Sequence, residues 1–203
     1  MHPVVSWTSP VVPLLLALVV LWSWADGGPE QPAPRGALAF ARHFIHYGLF
    51  EGATAGTPRH PWRERIEVER LAPGDVILGG NPGAAFGAWS HATIVLDDGR
   101  VLAQDLLRGI GLEASDGLAW YDRLRVLRPR VPAAVRAAAA HSAQHRIGAL
   151  FNLLAHPGDP WQQSCARCVA DAYREQGVEI TDGRFWITPD ALADGPGERI
   201  IDR

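Results

Sequence analysis

Two spacings of apolar residues organise this chain: steps of three and four, which predict helices, and short β-branched runs, which predict strands. Residues 11–22 form an apolar run that only Pro13 interrupts in character. Residues 26–36 are rich in proline and glycine and read as a linker. Residues 36–50 carry helical periodicity through Leu38, Ala41, Phe44, Ile45 and Leu49. A loop over 51–61 follows, and residues 66–71 alternate loosely. Pro73-Gly74-Asp75 is a turn feeding a strand through Val76, Ile77 and Leu78, after which residues 79–87 read as a glycine-rich loop. Residues 89–96 predict a second strand, Asp97-Asp98-Gly99 is a hairpin signal, and residues 100–106 run back. Two more short strands are expected at 109–112 and 124–127. Residues 132–150 predict a helix with Pro132 at its start, and 151–163 a loop. Thr188-Pro189-Asp190 starts a last helix.

The most informative periodicity begins at Cys165. Cys165, Cys168, Val169, Ala172 and Gln176 fall at i, i+3, i+4, i+7 and i+11, one small and mostly apolar helical stripe. Ser164 is an N-cap candidate and Gly177 a C-terminal stop. Arg167, Asp171, Arg174 and Glu175 lie mainly off the stripe and read as its solvated side.

Composition narrows the picture. With 203 residues and 47% hydrophobic content, the chain is long and apolar enough for one globular domain. The net charge of −3 is spread out, with no basic block that would suit nucleic acid. Two cysteines are too few for a disulfide scaffold. The apolar run is short for a bilayer span and fits the core of a signal peptide, with Ser23 and Ala25 as small residues before a cleavage point. The expected division is a signal peptide, or alternatively a membrane anchor, over 1–25, a linker over 26–36 and a catalytic domain over 37–203. That implies an exported protein, periplasmic or extracellular, or one held at the membrane by its N-terminal segment.

The chemistry centres on Cys165. At the first turn of a helix, unpaired N–H groups and the macrodipole favour a thiolate, the nucleophilic form. His91 opens a strand, and the hairpin register suggests its partner. If Gly99 takes the left-handed position of a three-residue loop, Leu96 faces Arg100, Val95 faces Val101, Thr93 faces Ala103 and His91 faces Asp105. Gln104 is the less favoured alternative. Cys165 would attack an acyl carbon, His91 would hold and return the proton, and Asp105 would orient the imidazole. The backbone N–H of Cys165 is the candidate oxyanion donor.

The segments Leu71-Ala72-Pro73-Gly74-Asp75-Val76-Ile77, Ser90-His91-Ala92-Thr93-Ile94-Val95, Gly109-Ile110-Gly111-Leu112, Cys165 with Val169, Ala172, Tyr173 and Gly177, and Ile187-Thr188-Pro189-Asp190-Ala191-Leu192 carry a likeness. Together they resemble the YiiX/YaeF-type permuted papain-like cysteine hydrolases, relatives of the NlpC cell-wall peptidases. The likeness spans roughly residues 71–192. It implies an α+β, circularly permuted papain-like fold, with a small antiparallel sheet packed against the cysteine-bearing helix. It also implies Cys165 as nucleophile, His91 as base and a polar third residue on the next strand, which matches Asp105. Members of the family tend to carry Tyr-Cys-Ser-Glu-Leu at the cysteine. This chain has Ser164-Cys165-Ala166-Arg167-Cys168, so the Glu position holds Arg167 and the Leu position a second cysteine.

Three other readings stay open for the cysteines. They are core packing, thiol–disulfide exchange through Cys165-x-x-Cys168, and a Cys₂His₂ zinc site with His141 and His145 at i, i+4. The expectation is an enzyme without metal or cofactor. Its substrate is a peptide or cell-wall peptide in the first instance, or a lipid-derived acyl group handled by hydrolysis or acyl transfer.

Overall fold

Pro73-Gly74-Asp75 turns the chain into its first strand, as its composition predicts, with the Asp75 N–H bonded to the Ala72 carbonyl at 2.9 Å. The computed structural model describes residues 68–84, 87–105, 108–152, 159, 161–182 and 187–202, with Leu15, Ala17, Leu18 and Ala41. The expected leader, the linker and the helix over 36–50 lie outside the described residues, those four positions apart. Among the described residues, no helix is long and apolar enough to cross a membrane.

The architecture is mixed α+β. Strands β1 (Val76–Gly80), β2 (His91–Ile94), β3 (Arg100–Asp105), β4 (Gly109–Ala114) and β5 (Arg123–Pro129) come first. They are followed by helix α1 (Ala133–Gln144), the two-residue strands β6 (Leu150–Phe151) and β7 (Gln162–Gln163), and helix α2 (Cys165–Arg174). Helix α3 (Pro189–Ala193) and strand β8 (Gly197–Asp202) close the chain. The main sheet is antiparallel in the order β2-β1-β5-β8, while β3 and β4 pair separately and β6 runs parallel to β7.

Several boundaries differ from the sequence expectation, each for a physical reason. Gly79 and Gly80 belong to β1 rather than to the loop, because Gly79 is held between β2 and β5 and Gly80 is paired with Arg123 of β5. The alanine-rich helix stops at Gln144 instead of 150. Gly148 (φ +90°) and Ala149 exchange backbone bonds with Ile110 of β4, which draws that segment out of the helix. β8 has no sequence expectation behind it; its register slips at Val126/Leu127, and Arg125 anchors it through Asp202 at 2.9 and 3.0 Å.

Helix α2 lies on the face of the sheet formed by Val76, Leu78, Ala92 and Ile94, and Cys168, Val169, Ala172 and Tyr173 join that cluster. Each large apolar side chain buried there contributes about 1.5–3 kcal/mol, more than a cap at about 1 kcal/mol, so packing holds the helix down. The caps fix its ends as expected. Ser164 Oγ accepts from the Arg167 N–H at 3.3 Å, and Gly177 (φ +74°) with Val178 closes the last turn onto Arg174 and Tyr173. The side expected to be solvated is so only in part: Arg174 and Glu175 are exposed, whereas Arg167 and Asp171 are buried alongside the apolar stripe. Tyr173 donates its hydroxyl to the Gly74 carbonyl and so ties the helix to the turn that begins β1.

Asp75 secures that turn. Its carboxylate is fully buried and accepts from Arg128 Nε at 2.8 Å, Arg128 Nη2 at 2.7 Å and the Ala72 N–H at 2.9 Å. Removing one partner of such a pair strands the other. Asp75→Ala is therefore expected to lower unfolding free energy by about 3 kcal/mol, measured by urea denaturation. A change below about 0.5 kcal/mol, typical of an exposed site, would contradict this role.

Candidate active site

The hairpin begins as the sequence predicts and then opens. Gly99 has φ +79°, the Leu96 N–H bonds to the Arg100 carbonyl at 2.8 Å, and Val95 pairs with Val101. Beyond that bridge the strands part. β2 pairs with β1 on its inner edge and β3 with β4, so the expected facing of His91 by Asp105 is not formed. Thr93 still reaches across, its Oγ1 donating to the Leu102 carbonyl at 2.8 Å.

The reason lies at the start of α2. In the bonding pattern set by Val95 and Asp75, the N–H of Ala92 points away from β1. In a continued hairpin it would meet Gln104. Instead it lies near the sulfur of Cys165, where it favours the thiolate. The start of α2 thus approaches the edge of β2 at Ala92, the residue after His91.

Cys165 is 7% exposed. Burial pushes its thiol above the ordinary value, against the backbone N–H groups of Ala92, Ala166 and Cys165 itself, which pull it down. The expected thiolate is therefore not the resting form: loss of solvation outweighs the helix terminus. Cys168 is fully buried and pushed up to about 12, chiefly by burial. A disulfide exchanger needs an accessible, acidic attacking thiol, and neither of these two free cysteines has that character. Among the described residues, no group of three or more His, Cys, Asp or Glu side chains is arranged to hold a metal ion. His141 and His145 pack ring edge to ring face, 5.0 Å apart.

His91 is half-buried, and burial brings its pKa down to about 4, so the imidazole is neutral at pH 7. Its ring stacks on Tyr121, with centroids 5.5 Å apart and planes 5° from parallel. Tyr121 is held above its ordinary pKa first by burial, then by the charges of Cys165 and Glu113. The tyrosine therefore lies within electrostatic range of the sulfur and in contact with the imidazole. Among the described residues, no hydrogen bond joins the His91 ring to the sulfur, to a carboxylate or to an amide. The side chain of Asp105 lies outside the described residues. Gln104 has both amide atoms buried without a partner, so it does not orient His91 in this state.

Two contributors are not apparent from spacing alone. Asp190, the residue after Pro189 in α3, accepts the Trp89 N–H at 2.9 Å and so fixes the backbone two residues before His91. The Thr-Pro-Asp helix start marks this segment in the sequence, though not its partner. Tyr121 sits between a 3₁₀ turn (Ser115–Trp120) and β5, where no periodicity singles it out.

The buried imidazole carries a pH signature. Its folded pKa, about 4, is below the unfolded value of 6.5. The unfolded chain therefore takes up the proton first, and stability falls as pH drops from about 6.5 to about 4. Replacing His91 with Gln is expected to flatten that part of the stability–pH curve; an identical slope in the variant would count against a buried neutral histidine.

No protein-family model, curated protein or solved structure matches this chain.

Proposed function

We propose that this protein is a cysteine hydrolase that cleaves amide or related acyl bonds with Cys165 as nucleophile and His91 as base, on a circularly permuted papain-like fold. The observation that supports this reading is the seat of the Cys165 sulfur. It sits at the first turn of a buried helix, near the N–H of the residue that follows His91. A nucleophile on a helix start beside a histidine delivered by an earlier strand is the arrangement the YiiX/YaeF-type hydrolases imply.

The charge states select the manner of attack. Thiol and imidazole are both neutral at rest, so the reaction is general-base catalysis rather than attack by a preformed ion pair. The sulfur bonds to the acyl carbon as its proton passes to His91. The carbonyl electrons move onto oxygen, where the Cys165 N–H can donate to them. Collapse expels the amine or alkoxide, which takes the proton from His91 and leaves a thioester. Water, deprotonated by His91, then attacks the thioester, releasing the acid and restoring the thiol. The sulfur–imidazole contact this needs tightens when substrate binds, as catalytic hydrogen bonds often do. Asp105, on the last position of β3, is the orienter that the resemblance implies, and it does not face His91 across the hairpin. A peptide or cell-wall peptide outside the cytoplasm is the first substrate class, reached by export or from a membrane anchor.

The full chain should be offered acyl amides, cell-wall peptides and acyl esters. Cys165→Ala is expected to abolish turnover, Cys168→Ser to leave it, and His91→Ala to cut it by about 10²–10⁴-fold. The acid limb of kcat/KM should lie near pH 4, since the base must be unprotonated. Turnover that survives Cys165→Ala sinks the proposal.

A further inference from the structure

The imidazole has an aromatic neighbour where a triad would supply a carboxylate. Gly79 and His91 face each other across β1 and β2, so their side-chain positions share one face of the sheet. Gly79 leaves its position empty, and the Tyr121 ring fills it. A Cβ added at Gly79 would lie 2.5 Å from both Cδ2 and Cγ of that ring, far inside contact distance. Tyr121 is itself clamped. Trp120 meets it edge-on, with centroids 4.9 Å apart and planes at 80°, and its N–H bonds to the Leu118 carbonyl at 3.2 Å. The N–H of the next residue, Asp122, is buried and bonds to Asn81 Oδ1 at 3.0 Å. The ring therefore has a fixed place and a fixed plane, parallel to the imidazole.

We infer that Tyr121 is the positioning residue for His91: its ring, seated on Gly79, holds the imidazole plane by stacking and supplies the orientation that a carboxylate supplies in a triad. This rests on the hydrolase reading for its consequence in catalysis, but not for the contact itself. The stack also shields His91 from water, in keeping with its neutral state. Tyr121 is the titratable group that stacks on it, and Cys165 and Glu113 act on Tyr121 in turn. Since the ring and not the hydroxyl does the work, phenylalanine at position 121 preserves it.

Two measurements separate this inference from the reading beneath it. NMR titration of His91 needs no substrate. Tyr121→Ala is expected to raise the His91 midpoint from about 4 towards 6.5, and Tyr121→Phe to leave it near 4. In the turnover assay, Tyr121→Ala should lower kcat by about 10²-fold, the loss that misplacing a reacting group produces, with KM little changed. Tyr121→Phe should restore the rate. Gly79→Ala, which displaces the same ring, should move both readouts in the direction of Tyr121→Ala. If Tyr121→Ala leaves the midpoint in place, raises the rate, or is not rescued by phenylalanine, the inference is overturned. If the midpoint shifts as expected while Cys165→Ala keeps full turnover, the stacking stands and the hydrolase reading falls. If Asp105→Ala costs far more rate than Tyr121→Ala, the carboxylate rather than the ring is the orienter.

Discussion

An edge strand offers backbone N–H groups that must find a partner, and the arrangement around Cys165 follows from how one of them is satisfied. The outward N–H of Ala92 has the Cys165 sulfur near it rather than the next strand. The β2–β3 pairing ends at Val95, and β3 pairs with β4 along its whole length. The start of α2 lies near the residue next to His91. The far end of the helix is fixed by the Tyr173 hydroxyl on Gly74. Cys165 and His91 come from distant parts of the chain, and both lie at the β2 edge.

Burial then decides the chemistry of the pair. A helix terminus contributes some 0.3–1 kcal/mol to an adjacent negative charge, whereas one pKa unit corresponds to about 1.4 kcal/mol. A terminus alone is therefore a weak lever on a sulfur that is 7% exposed, and the thiol rises despite three nearby N–H groups. The same loss of water lowers His91. Both partners are pushed towards neutrality, and neutrality costs the fold no uncompensated buried charge. An ion pair at this site would have to repay the desolvation of both members.

Much of the fold is legible in local punctuation. Pro73-Gly74-Asp75, Asp97-Asp98-Gly99, Ser164, Gly177 and Thr188-Pro189 each place an element end where the structure has one, because turns and caps depend on a few neighbouring residues. The site is legible only in part. Cys165 and His91 stand out through a helix start and a strand start. The third position does not, because extending the hairpin register assumes that β2 and β3 stay paired. No local signal reports that a sulfur from more than sixty residues downstream comes near the Ala92 N–H. The burial of Arg167 and Asp171 escapes the helical pattern for a related reason: periodicity ranks the faces of a helix but does not tell how many are covered. β8 and Tyr121 are set by tertiary pairing and contact, for which spacing carries no mark.

The pairing of Gly79 with Tyr121 shows why a residue absent from any motif can matter as much as one inside it. In a two-stranded register, the side chain opposite His91 would normally be the one that confines it. Here that place is vacated by a glycine and filled by a ring from a segment forty residues later, clamped by its own turn. Such a platform constrains the plane of an imidazole without placing a negative charge beside it. A carboxylate would stabilise the imidazolium and raise the histidine's pKa, working against the neutral state that burial imposes. An aromatic face confines the ring while leaving that balance to burial, and so suits the proposed base, which must be unprotonated to act.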